Sequence, residues 1–83
     1  DRIMFRTLVK TQRMAVDNQT YPVRYFEILT PRGIRRYSAE ILLAPGDRII
    51  LDDDSVSNLE ARAARLVPAT LYCRSLAKTT TAA

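Results

Sequence analysis

Three turn signals divide the first two thirds of this chain into segments of strand length, and they constrain the fold more than any other feature. Asp17 and Asn18 sit within the polar stretch Val16–Thr20, and both residue types bond their own backbone and tolerate left-handed geometry. In Thr30-Pro31-Arg32-Gly33, proline presets φ and glycine accepts a positive φ. Ala44-Pro45-Gly46-Asp47 repeats that logic in the form of a type II turn. Both glycines of the chain are thereby assigned to turns, and neither belongs to a glycine-rich phosphate loop.

Between the turns the residues have β character. Tyr21–Leu29 carries Tyr21, Val23, Tyr25, Phe26 and Ile28, with Pro22 restricted to the strand's start or an edge. Ile34–Leu43 alternates, with Tyr37, Ala39, Ile41 and Leu43 as the inward face. These two segments read as a β-hairpin. Ile3–Val9 reads as a first strand of imperfect alternation, followed by a stretch that is either a long, bulged continuation or a loop. Arg48–Leu51 reads as a short strand.

Ser57-Asn58-Leu59-Glu60 matches a capping box, with Ser57 as N-cap. A helix of about three turns follows over Asn58–Val67, its apolar stripe being Leu59, Ala63 and Leu66. Pro68 predicts its end. Ala69–Ser75 reads as a last strand, with continuation of the helix past a kink as the alternative. The expected architecture is β-rich α+β: a small antiparallel sheet or partly closed barrel of four to five strands, with one short helix near residues 57–67. With 83 residues there is room for one domain, assigned to residues 1–78, with a disordered tail over 79–83.

Composition excludes several function classes. Histidine is absent, which removes the usual general base near neutral pH and the commonest metal ligand. Cys73 is the single cysteine, so no intrachain disulfide and no Cys/His zinc site is available; it reads as a buried small hydrophobe. Asp52, Asp53 and Asp54 are the one acidic cluster, but they lack the spacing and central glycine of a calcium loop. They read better as a solvated connection that favours the following helix N-terminus. No catalytic, cofactor or metal residue is therefore assigned, and a divalent-metal enzyme using Asp52–Asp54 is the weakest of three readings.

Charge is uneven. The formal net charge is +4, but residues 1–37 hold +5 and the remainder −1, and 11 of the 13 cations are arginine. Arg24, Arg32, Arg35 and Arg36, with Tyr21 and Tyr25, form the candidate interaction surface. Arg24 and Arg35 fall on paired strands of the hairpin and are expected to share a face, where phosphate or carboxylate groups would bridge them. Arg62 and Arg65, on the helix, read as solubilising. No signature of the common RNA-binding modules is present.

The preferred reading is a non-catalytic interaction module that binds protein or itself as a homo-oligomer. Nucleic-acid binding through the basic hairpin is the alternative. Neither a membrane span nor a secretory leader is read, the single thiol fits a cytoplasmic setting, and a start at Asp1 reads as part of something longer.

Overall fold

The computed structural model describes residues 5–81. Four strands, β1 (Phe5–Val16), β2 (Gln19–Leu29), β3 (Arg35–Ala44) and β4 (Asp47–Asp53), precede one helix, α1 (Val56–Thr81). The strands pair antiparallel in the order β1-β2-β3-β4, so each is hydrogen-bonded to its neighbour in sequence. It is an open sheet with β1 and β4 at its edges, the β-rich α+β arrangement that strand propensity and turn spacing predict.

Each turn does what its residues dictate. Asp17 and Asn18 both have positive φ, 49° and 66°, between the paired residues Val16 and Gln19. Two consecutive left-handed residues make a type I′ turn, whose twist matches that of the flanking strands. At the second turn the Gly33 N–H donates to the Thr30 carbonyl at 2.9 Å, and the Thr30 N–H donates to the Ile34 carbonyl at 3.1 Å. Gly33 has φ 78°, closing a three-residue loop with a left-handed last position. Gly46, with φ 75°, follows Pro45 between the paired Ala44 and Asp47, as a type II turn requires.

The inner face of the sheet follows from register. Tyr25 lies opposite Ala39, which lies opposite Leu51; Val23, Ile41 and Ile49 form the next row. Val23, Tyr25, Ala39, Ile41 and Leu51 are buried beneath Leu59, Ala63 and Val67 of α1. Tyr37 and Leu43 pack at the margin of this core, so the inward parity read for β3 holds.

Two expectations about the C-terminal third are corrected. Ala69–Ser75 is not a strand, because α1 continues through Pro68 to Thr81. The helical spacing Leu59, Ala63, Val67, Leu71 runs unbroken across the proline, and Leu71 packs against the core. An interior proline costs a helix about 3 kcal/mol relative to alanine. Here the helix formers after it offset that cost, as do Leu71 and an ion pair from Arg74 to Asp47 at 3.0 Å. The N-cap is also two residues earlier than read: the Ser55 Oγ accepts from the Asn58 N–H at 3.1 Å, and the Ser55 carbonyl accepts from the Leu59 N–H at 3.2 Å. Of the tail assigned as disordered, residues 79–81 belong to α1 and residues 82–83 lie outside the described ones, as do Ile3 and Met4 of the predicted first strand.

The first strand is longer than read, and the alternative of a bulged continuation is the one found. Its pairing with β2 shifts register between Leu8 and Lys10, leaving Val9 as the extra residue.

Because α1 is held by a few fully buried side chains, Leu59→Ala is expected to lower unfolding free energy by about 2–5 kcal/mol in urea denaturation. Tyr72→Ala, on an exposed position of the same helix, is expected to change it by less than about 0.5 kcal/mol.

Candidate interaction surfaces

The six residues singled out from sequence do not converge. Tyr25 has no exposed surface; its hydroxyl donates to the Gln12 Oε1 at 2.8 Å, and burial, with the nearby Glu60 carboxylate, pushes its pKa up. Tyr21 is half-buried against the core. Neither ring is free to stack on a base. Arg24 and Arg35 lie on opposite faces of the sheet: Arg24 is opposite Glu40, whereas Arg35 is opposite Leu29, an odd number of steps along β2. Arg35 approaches Glu27 at 3.6 Å. Arg36 shares the outer face with Arg24 but donates instead to the Asp54 carboxylate. Arg32 is exposed in the β2–β3 turn.

What the outer face does assemble is a different group, centred on Glu40. This side chain is almost fully buried and accepts hydrogen bonds from Arg24 and from the Arg48 Nη1 at 3.0 Å, with the Arg6 Nη2 at 3.8 Å. Arg6 lies over the Phe26 ring, its guanidinium 3.7 Å from the centroid, and so shields that ring from solvent. The hydrogen bond from Arg24 holds the Glu40 carboxyl below its ordinary range, against the opposing effect of burial, and the charges of Arg24, Arg48 and Arg6 add to it. Glu40 thus ties β1, β2 and β4 to its own strand, β3, across the outer face. The same contacts commit part of this face's positive charge to an internal acid.

The three aspartates diverge. The Asp53 Oδ1 accepts from the Asn58 side-chain amide at 2.8 Å and from the Asp54 N–H at 2.7 Å. Its Oδ2 accepts from Arg62 at 3.2 Å, and Arg62 also donates to the Asp52 carbonyl at 2.6 Å. These contacts, led by the Asn58 bond, lower the Asp53 pKa. Together they form a clasp between the end of β4 and the first turns of α1, and Arg62 is a structural residue rather than a solubilising one. Asp54 faces Arg36. Among the described residues, no three His, Cys, Asp or Glu side chains gather in a way that would hold a metal ion.

Cys73 is exposed, not buried as read. On a helix it lies two residues from Leu71, some 200° around the axis and away from the core stripe. No helix among the described residues is long and apolar enough to cross a membrane.

The surface that sequence reasoning missed is β1. Every residue from Phe5 to Arg13 is exposed, and β2 is its only strand partner, so one edge of its backbone is unpaired among the described residues. Phe5, Leu8 and Val9 are exposed by 60%, 49% and 47%. Lys10 reaches the helix, passing over the Tyr25 ring to pair with Glu60. The signal in the sequence was the adjacent pair Leu8-Val9, which breaks the alternation where the bulge occurs.

Compared with known protein families, with curated proteins and with solved structures, the chain matches none.

Glu40→Gln is expected to destabilise the fold by about 1–3 kcal/mol at neutral pH, since it removes the charge that two arginines bond. Because the Glu40 pKa is lowered on folding, its contribution is present above the ordinary glutamate range and is lost as pH falls through the depressed value. The gap between wild type and variant in urea midpoints should therefore close in acid.

Proposed function

We propose that this chain is a non-catalytic interaction module that binds another protein. The observation that supports the reading is β1: a long strand with an unpaired edge and exposed Phe5, Leu8 and Val9. Such an edge offers a row of backbone donors and acceptors to an added strand, the mode by which many modules capture extended peptides. The chemistry of the chain points the same way, since it contains no histidine and one cysteine.

Nucleic-acid binding is the second reading. Arg6, Arg13, Arg24, Arg36 and Arg48 all belong to the outer face by register, which favours an anionic partner there. Glu40 weighs against it by bonding Arg24 and Arg48, and no tyrosine stands on that face.

Selection of a random decapeptide display library against the immobilised chain tests the first reading, with a Leu8→Lys, Val9→Lys chain as control. Enriched peptides should bind below about 100 µM and lose about tenfold or more on the doubly substituted chain. Lack of any enrichment, with a monomer in sedimentation velocity at every concentration, discards the module reading. Under the second reading, binding to a single-stranded oligonucleotide falls with salt at a log–log slope of about −0.7 per phosphate neutralised. It would also tighten in Glu40→Gln, where Arg24 and Arg48 are released; under the first reading neither effect occurs.

A further inference from the structure

We infer that the free edge of β1 receives an acidic, extended peptide segment, and that it selects carboxylates six residues apart on one face of that segment. This rests on the interaction-module reading and names its partner's chemistry.

The first argument is charge. β1 carries Arg6, Lys10 and Arg13 and no acidic residue anywhere from Phe5 to Val16. A second copy of β1 added antiparallel would find no ion pair in any register. Centred between Val9 and Lys10, such a pair would set Arg6 against Arg13. Like charges directly opposite one another destabilise a strand pair. An acidic strand meets the opposite situation at each position. Edge cations of this kind block self-pairing without closing the edge.

The second argument is the bulge. Arg6 and Arg13 are seven residues apart, and in a regular strand an odd spacing would place them on opposite faces. Their partners on β2 are Ile28 and Pro22, six residues apart. The extra residue Val9 absorbs one step and returns both arginines to the outer face. A regular incoming strand therefore spans them with an even spacing of six residues, roughly 20 Å. Lys10 falls on the inner face, where it is already paired with Glu60. Arg13 is exposed and lines a shallow groove with Thr11, Gln12, Pro22 and Arg24.

The test uses capped ten-residue peptides of alternating Thr and Val. One carries Glu at positions 2 and 8, a second carries Lys at the same positions, and a third carries Glu at 2 and 7, on opposite faces. Amide hydrogen exchange by NMR is read on the whole chain. The first peptide should slow exchange of unpaired amides within Phe5–Arg13 by about tenfold or more, and the third should bind at least about threefold more weakly. The lysine peptide should leave these amides unchanged. Arg13→Glu, a change at an exposed side chain, should weaken the first peptide and admit the lysine peptide, with the spectrum otherwise retained.

Equal protection by the Glu and Lys peptides overturns the charge argument, as does protection that grows with protein concentration alone and so reports a second copy. Equal binding of the first and third peptides overturns the spacing. A single-stranded oligonucleotide that protects the outer face when none of the peptides does assigns the surface to nucleic acid. Should other peptides from the display selection bind at β1 while the acidic one does not, this inference fails and the module reading stands. Failure of both leaves neither.

Discussion

Everything in this structure depends on one helix packing over one side of a four-stranded sheet. Leu59, Ala63 and Val67 reach the sheet at Ala39, Ile41 and Leu51. Alanines stand on both sides of this contact, which lets the helix axis approach closely. A helix with its side chains is about 10 Å wide, and strands lie about 4.8 Å apart. A single helix therefore covers about two strands, and α1 lies against β3 and β4. The far strand is covered near its C-terminal end, where Met14 and Val16 pack against the core. This is why β1 is exposed on both faces from Phe5 to Arg13 while β2, β3 and β4 supply the sheet side of the core. Bare β1 is the geometric consequence of having one helix for four strands.

That shortage of cover also explains the polar devices. Where apolar burial is limited, charged groups fasten the elements: Lys10 to Glu60 joins β1 to α1, Arg62 to Asp53 joins α1 to β4, and Arg74 to Asp47 holds the helix beyond Pro68. Each is partly exposed, so each alone contributes little. Glu40 differs, because its carboxylate is buried and depends on the arginines around it. Removing those partners would leave a buried charge uncompensated, the costly direction of such a pair. The uneven distribution of arginine along the chain thus serves the fold first. Of the cations in the first half of the sequence, strand parity sends Lys10 and Arg35 to the inner face, while on the outer face Glu40 engages Arg24 and Arg6 and Asp54 engages Arg36.

The elements that local chemistry specifies were legible in the sequence. Pro45-Gly46, Pro31-Arg32-Gly33 and Asp17-Asn18 each name a turn, because positive φ is available to few residues. The alternation in β3 named its inward face for the same reason: one face is covered and the period is two. What was not legible depended on distant partners. Pro68 looked like a stop because what carries the helix past it, Leu71 on the core together with the Arg74–Asp47 pair, involves residues far apart in sequence. The cap read at Ser57 lies at Ser55 instead, where the Asn58–Asp53 bond, between α1 and the end of β4, accompanies it. The grouping of Arg24 with Arg35 failed because register decides which face a strand residue occupies, and a hairpin's register is set by its loop. The Glu40 network needs three strand pairings at once and has no linear signature.

The bulge at Val9 has two consequences that pull in different directions. It twists and interrupts a long edge, which with the cations of β1 is how sheets avoid indiscriminate pairing. It also shifts the parity of the strand, so that Arg6 and Arg13 stand on one face despite an odd separation. An edge protected only by charge and curvature remains open to a strand of opposite charge that accepts the curvature. The features that keep β1 from pairing with itself are therefore also those that define which strand it can accept. Specificity of that kind needs no pocket, because the added strand is read by backbone hydrogen bonds and by the spacing of its charges.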